Sequence, residues 1–246
     1  MSDSITHRLL SYVKDVAFEI LWPTRCAICD STGDDVICDE CKRKLRFIDR
    51  YEACSRCGAP HGSLQCTECN DLVLGSSGLE AFPLDSMSHA MILDDAAKRI
   101  VTAYKDQGER RLCDFIGEMI GNQIDPNAHR EGFAITYIPD TARAFRRRGF
   151  DHSQEIANEV SRLSGIPCIG LFKRPKSIDQ RKLGRASRIG NMANRLAIEE
   201  DAEVPSRLII IDDVCTTGAT IYSACLELQS KGAEHIRAVT FGRVLA

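Results

Sequence analysis

Two groups of residues in this chain have the types and spacing that chemistry requires. The first is Leu208-Ile209-Ile210-Ile211-Asp212-Asp213-Val214-Cys215-Thr216-Thr217-Gly218-Ala219-Thr220. Four apolar residues run into two adjacent carboxylates and then into a turn of hydroxyls and glycine; an amphipathic segment follows from Ile221 to Lys231. That order reads as buried strand, phosphate loop, helix. A buried parallel strand is apolar on both faces, so polar groups first emerge at its carboxyl end, where ligands of open α/β sheets sit. Side chains alternate along a strand, so Asp212 and Asp213 point different ways and can reach neighbouring hydroxyls of a sugar or share a hydrated Mg²⁺. Thr216, Thr217, Gly218, Ala219 and Thr220 offer hydroxyls and free backbone N–H groups at a helix N-terminus, which favours a phosphate.

The second group is the cysteines, twelve in 246 residues. Cys26, Cys29, Cys38 and Cys41 form a C-x2-C-x8-C-x2-C pattern, and Cys54, Cys57, Cys66 and Cys69 repeat it 28 residues later. A CxxC turn places two thiolates on one metal, and a second CxxC returned by a short hairpin completes a tetrahedral four-thiolate site. Disulfides are the competing use, and paired CxxC spacing in a reducing compartment argues against them. The repeat favours two self-contained ribbons with one structural zinc each over a cross-braced pair. Cys113, Cys168, Cys215 and Cys225 stand apart and are expected to be buried thiols.

The elements that position these groups follow from periodicity. Leu9, Val13, Val16 and Ile20 make one stripe of an N-terminal helix that Pro23 stops. Lys42 to Phe47 reads as a short basic helix, and 71–93, with Gly75, Gly78 and Pro83, as a linker entering a main domain through one or two strands. Helices are expected over 94–106 and 109–124, a strand over 134–138, a helix over 152–163 and a strand over 168–172. The stretch from Lys173 to Arg188 reads as a polar loop. From Arg143 to Arg188 there are twelve Lys or Arg against four acids, a net of +8 in a chain of net −3. The positive charge is therefore local, and it is expected at the same sheet edge as Asp212.

The acids and the Thr-Thr-Gly-x-Thr turn resemble the phosphoribosyl-pyrophosphate (PRPP) signature of type I phosphoribosyltransferases. That resemblance implies that Asp212 and Asp213 bind the ribose hydroxyls and that Thr216, Thr217, Gly218, Ala219 and Thr220 bind the 5′-phosphate. Flanking residues narrow it further. A helix ending in Trp22-Pro23, paired CxxC ribbons, Tyr104-Lys105, Arg147-Arg148-Gly149-Phe150-Asp151-His152-Ser153 and a Lys176/Gln180/Arg188/Asn191 series together resemble the ComF-type competence proteins over nearly the whole chain. Members usually carry Arg-Gly-Phe-Asn-Gln where this chain has Asp151-His152, and Val-Pro-x-Pro where it has Tyr137-Ile138-Pro139-Asp140.

The resemblance implies an α/β type I phosphoribosyltransferase fold, a parallel sheet flanked by helices, behind an N-terminal double zinc ribbon. The expected division is a helix over 1–24, the ribbons over 25–72 and the phosphoribosyltransferase-like domain over 73–246. It also implies PRPP with Mg²⁺ as ligand, Lys105, Arg147, Arg148 and Lys176 as candidates for the pyrophosphate, and a link to DNA uptake. No residue stands out as a base for an acceptor. Two classes of function stay open on the sequence. One is a Mg²⁺-dependent phosphoribosyltransferase of unidentified acceptor; the other is a non-catalytic single-stranded DNA-binding protein of the transformation machinery, working with a DNA-translocating helicase. Composition, 43% hydrophobic and 27% charged, suits one α/β core plus a small appendage and gives no global nucleic-acid signature. No apolar run approaches a membrane span, and Lys14, Asp15 and Glu19 interrupt the first segment, so a cytoplasmic protein is expected. Metal analysis of freshly purified protein is predicted to give about two zinc ions per chain; iron, or one zinc or none, would contradict the two-ribbon reading.

Overall fold

The computed structural model describes residues 23–76, 78–175 and 196–245. The expected helix before Pro23 lies outside them, as do Lys176, Gln180, Arg188, Asn191 and most of the polar loop. The chain divides into two compact units, 1–45 and 46–246. The first holds Cys26, Cys29, Cys38 and Cys41 and the short helix α1 (Asp39–Lys44). Its acids Asp39 and Glu40 fall in the first turn and Lys42, Arg43 and Lys44 in the last, the arrangement a helix dipole favours.

The second unit is built on four parallel strands, β1 (Ser86–Ile92), β2 (Ala134–Tyr137), β3 (Arg207–Cys215) and β4 (His235–Arg243), in the order β1-β4-β3-β2. Strand β3 is central, and its run Leu208 to Ile211 is fully buried, as a parallel strand covered on both faces requires. On one face Leu208 and Ile210 pack with Ile221, Tyr222 and Leu228 of α7 (Ala219–Ser230). The other helices among the described residues of this unit are α2 (Asp71–Ser76), α3 (Asp95–Asp106), α4 (Leu112–Gly121), α5 (Ala142–Arg148) and α6 (His152–Ser164). Helices α4 and α6 pack on each other and on the strands. They come close at Gly117, where a Cβ would lie 2.5 Å from Glu159 Cγ.

The capping is local and legible. Asp94 accepts hydrogen bonds from the Ala96 and Ala97 amides at 3.1 and 3.0 Å and starts α3, whose Ala97, Ile100, Ala103 and Tyr104 form the buried stripe. Asp151 caps α6 by accepting from Gln154 N at 3.3 Å, and Gly165 ends that helix at φ 72°.

The second four-cysteine module belongs to the same unit as the sheet and shields its β1 edge. The Ile48 amide donates to Ala90 O at 3.0 Å, the Ile92 amide to Arg46 O at 2.9 Å, and the Met87 amide to Arg56 O at 2.7 Å. An open strand edge invites pairing with another chain, and these bonds close it. Gly58 has φ 66°, and a Cβ there would meet Met87 O at 2.7 Å, so the knuckle approaches β1 more closely than a side chain permits.

Several sequence expectations need correction. The basic helix near residue 42 begins earlier, at Asp39, and stops at Lys44; Leu45 is extended, and Arg46 to Ile48 run beside β1. A short helix, α2, occupies the start of the expected linker. The second of the two paired helices is shorter than 109–124 because Glu109, Arg110 and Arg111 form a turn ahead of it. The expected strand over 168–172 is reduced to isolated bridges, Ile135 with Cys168 and Phe172 with Ile198. Strand β3 carries its ladder past Ile211 through both acids to Cys215, paired with Arg243. Helix α7 starts at Ala219, two residues before the amphipathic pattern becomes visible. Strand β4 was not anticipated. Cys215 and Cys225 are buried as expected, whereas Cys113 and Cys168 are only half-buried.

Candidate functional site

The carboxyl end of β3 presents Asp212 half-buried and Asp213 buried. The Asp212 carboxylate turns back toward its neighbour and accepts from the Asp213 amide at 2.9 Å. Gly218, at φ 75°, then opens α7 with no side-chain cap on the helix N-terminus, and its missing side chain leaves room for the Tyr222 ring, 2.7 Å from where a Cβ would stand. Thr216 and Thr217 are exposed, and Ala219 and Thr220 half-buried. The Ala219 amide donates to Thr217 Oγ1 at 3.4 Å, while Gly218 offers the helix start no side-chain cap, so a positive dipole end faces the loop, as holding a phosphate requires.

Asp213 is the node of a buried charge network. Lys105, from the last turn of α3, forms an ion pair with Asp213 Oδ2, and His152 Nε2 of α6 lies 3.7 Å from Oδ1. His152 Nδ1 contacts Asp140 Oδ2 at 2.5 Å, and Arg148 donates to Asp140 Oδ1 at 2.8 Å. Arg174 pairs with Asp151 Oδ2 at 2.8 Å and donates to Asp140 O at 3.0 Å. The Tyr104 hydroxyl donates to the carbonyl of His152 at 3.2 Å and fixes the start of α6 to α3. Asp140, Asp151 and His152 have metal-ligand chemistry and lie close together, but Arg148 and Arg174 already meet the carboxylates, so the cluster is an ion-pair network.

These contacts set the protonation states. Burial alone pushes the Asp213 carboxyl up, but His152 and Lys105 outweigh it and hold the group well below the usual carboxylate range. Asp212 is pushed up to about 7 by burial and by the neighbouring Asp213 charge. Burial works against the charged form of His152, yet the bond to Asp140, with Asp213 beyond it, raises its pKa above the ordinary value. Asp140 likewise resists burial and is lowered, chiefly by His152 and Arg148.

Beside this network lies a cavity of about 380 Å³ lined by Lys105, Asp106, Gln107, Gly108, Arg147, Arg148 and Phe150. Arg147 and Arg148 reach Asp106 at 2.9 and 3.4 Å. The structure therefore brings Asp213, Lys105 and Arg148 into one network, with Arg147 on the wall of the adjoining cavity; Lys176 is outside the described residues. Of the arginine run, Arg143, Arg146 and Arg147 are exposed, while Arg148 is drawn inward by Asp140.

Each cysteine set converges on a point. Within each, the four sulfurs lie within 4.8 Å of one another, and Cys29–Cys38, Cys54–Cys69 and Cys57–Cys66 are 3.8, 3.7 and 3.5 Å apart. A tetrahedron with metal–sulfur bonds of about 2.3 Å has edges of about 3.8 Å. The Cys38 amide also points at Cys26 Sγ, 3.4 Å away, as a thiolate invites. The two clusters fit two structural zinc sites, and neither borrows a cysteine from the other.

Residues 17–73 match the double zinc ribbon domain family. Competence protein ComFC of Bacillus subtilis is 24% identical over 232 residues, 92% of this chain and 91% of that protein. Competence protein ComFC of Streptococcus pneumoniae is 21% identical over 210 residues, 85% of this chain and 89% of that protein. The chain is thus similar to ComFC competence proteins over nearly its whole length. Competence protein F of Haemophilus influenzae adds 32% identity over 106 residues, 41% of this chain and 46% of the relative. Among solved structures, a hypoxanthine phosphoribosyltransferase of Staphylococcus aureus aligns at 15% identity and TM-score 0.35 over 52% of this chain and 61% of that one. An orotate phosphoribosyltransferase of Aeropyrum pernix aligns at 19% and 0.30 over 58% and 62%, so less than two thirds of either enzyme is spanned. The chain has the expected α/β architecture, a parallel sheet flanked by helices, with an N-terminal double zinc ribbon.

Sequence reasoning missed Asp140 and Arg174 and treated Asp151 and His152 only as departures from the family pattern. A signal was present: Asp140 lies three residues past the end of β2, and Asp151 precedes a helix, where short acids cap and bind. The His152 network has a pH signature. Its contribution to stability is fully present below the ordinary histidine pKa of about 6.5 and is lost as pH rises through the elevated folded value. In Asp140→Asn the midpoint of His152, followed by NMR of its ring proton, is expected to move to lower pH; an unchanged midpoint would refute the assignment.

Proposed function

We propose that this protein binds PRPP at the β3–α7 turn, with Asp212 on the ribose hydroxyls and the backbone of Thr216 to Thr220 on the 5′-phosphate. The observation that carries this reading is the continuity of strand β3, through two carboxylates, into a helix N-terminus opened by Gly218. Asp213, paired with Lys105, acts chiefly by holding that end of the strand and supplies its second carboxylate when Lys105 turns to the ligand. The cavity lined by Lys105, Arg147 and Arg148 has the charge and size for a pyrophosphate, and Lys176 is a further candidate from the adjoining segment.

Mg²⁺ suits this donor set, since it binds through one or two carboxylates plus substrate phosphates and keeps several waters. When bound, it would neutralise charge on the pyrophosphate. Asp212, the half-buried acid beside the loop, is its best carboxylate. Displacement of pyrophosphate from the ribose C1 would then rest on electrostatic positioning by Lys105, Arg147 and Arg148. No described side chain is placed as a base for an acceptor, so the acceptor is left unassigned. The similarity to competence proteins supports a role in competence, hence in DNA uptake, and eight CxxC cysteines suit the reducing cytoplasm.

A second reading, which can coexist with the first, is single-stranded DNA binding alongside a DNA-translocating helicase. It is favoured by Arg174 stacked over Phe145 at 4.2 Å, with Phe145, Arg143, Arg146 and Arg147 exposed along α5. Calorimetric titration with PRPP and Mg²⁺ is expected to show saturable binding by the wild type and a loss of about tenfold or more in Asp212→Ala, the order of one charge-assisted hydrogen bond. Absence of wild-type binding would overturn the PRPP reading. Charge removal by Arg143→Gln/Arg146→Gln is expected to weaken single-stranded DNA binding while PRPP affinity is kept; unchanged DNA binding would remove α5 from that account.

A further inference from the structure

The turn between Cys66 and Cys69 carries Glu68, whose carboxylate forms an ion pair with Arg243 at the end of β4. Arg243 is 4% exposed. Its other guanidinium nitrogen donates to Cys215 Sγ at 3.2 Å and lies 3.4 Å from His89 Nε2. Cys215 is the register partner of Arg243 across the β3–β4 ladder and the residue immediately before Thr216. The backbone reinforces this link: the Val244 amide donates to Cys215 O at 2.9 Å, and the Leu93 amide to Arg243 O at 2.7 Å.

A second contact runs parallel to the first. His89 of β1 bridges the Cys57 carbonyl at 2.9 Å and Thr240 Oγ1 at 2.8 Å. A carbonyl can only accept, so Nε2 carries a ring proton. Burial and Arg243 push the pKa of His89 down to about 3 and keep it neutral, which leaves Nδ1 as an acceptor sharing the Thr240 hydroxyl with Gly242 O. His89 hands a fixed donor to a cysteine of the zinc cluster.

We infer that Glu68, Arg243 and Cys215 form a strut through which the second zinc site holds the phosphate loop in position. A buried guanidinium needs an anionic partner, and the one it has sits inside a turn whose shape is set by two metal ligands. Loss of that partner leaves Arg243 uncompensated against Cys215, the residue before the loop. Glu68 and Arg243 are therefore positioning residues for a site they do not enter. The first cysteine set lies in the other compact unit and has no part in the strut.

This inference rests on the reading of residues 216–220 as the phosphate loop, and its test separates the two. Amide hydrogen exchange of 216–220 is followed in the zinc-loaded full chain, for wild type and Glu68→Gln, beside PRPP calorimetry and zinc analysis. Exchange in the loop is expected to quicken about tenfold and PRPP affinity to fall by a similar factor, a typical size for coupling between sites, with both zinc ions retained. Unchanged loop exchange in Glu68→Gln would overturn the strut. If Glu68→Gln loses zinc, Arg243→Met decides instead, because it leaves the ribbon intact: faster loop exchange supports the strut, and unchanged exchange refutes it. A wild type that fails to bind PRPP would overturn the ligand reading alone, since exchange needs no ligand.

Discussion

Placing a carboxylate at the buried end of a central parallel strand costs several kcal/mol unless cations and hydrogen bonds meet it there. Asp213 is in that position, and much of the second unit is arranged around the need to compensate it. Lys105 arrives from the last turn of α3, so α3 must end at the sheet edge; His152 arrives from the first turn of α6, so α6 must begin there. Asp140 then steadies His152, Arg148 steadies Asp140, and Arg174 reaches both Asp151 and the Asp140 carbonyl. Charges alternate outward from the strand. The same sequence of demands draws the positive residues of the chain toward the mouth of the site, where a multiply charged phosphate ligand would need them.

The ribbons meet a different constraint. Modules of so few residues cannot bury enough surface to fold alone, and a four-thiolate metal supplies the missing stabilisation. The two repeats then diverge in use. The first forms a compact unit with its own short helix. The second is built into the sheet domain: it pairs with the β1 edge through Arg56, caps His89 with the Cys57 carbonyl, and sends Glu68 to Arg243. Equal spacing of cysteines in the sequence therefore conceals unequal roles in the fold.

What could be read from the sequence was what chemistry makes periodic or punctual. The CxxC repeat, the apolar run before Asp212 and the helix expected over 94–106 are local signals, and the structure follows them. The ends of elements were harder. Nothing within the sequence of β3 says that its ladder continues through two carboxylates, because that depends on β4 lying alongside with Thr240 and Arg243 in register. The segment 168–172 is apolar enough for a strand but finds only single bridges, since β2 beside it is four residues long. Asp140 and Arg243 have meaning only through partners 12 and 175 residues away, His152 and Glu68, and no spacing rule connects such pairs.

The central claim is that the end of β3 and the start of α7 form one ribose-phosphate cradle, anchored by Asp213 and its cations. A crystal structure of the protein with PRPP and Mg²⁺ tests it most directly. The account predicts the 5′-phosphate within hydrogen-bonding distance of backbone amides between Thr216 and Thr220, the ribose hydroxyls on Asp212, and the pyrophosphate in the cavity of Lys105, Arg147 and Arg148. Density for the ligand away from this turn, or a Thr216–Thr220 segment that stays empty at saturating ligand, would contradict it.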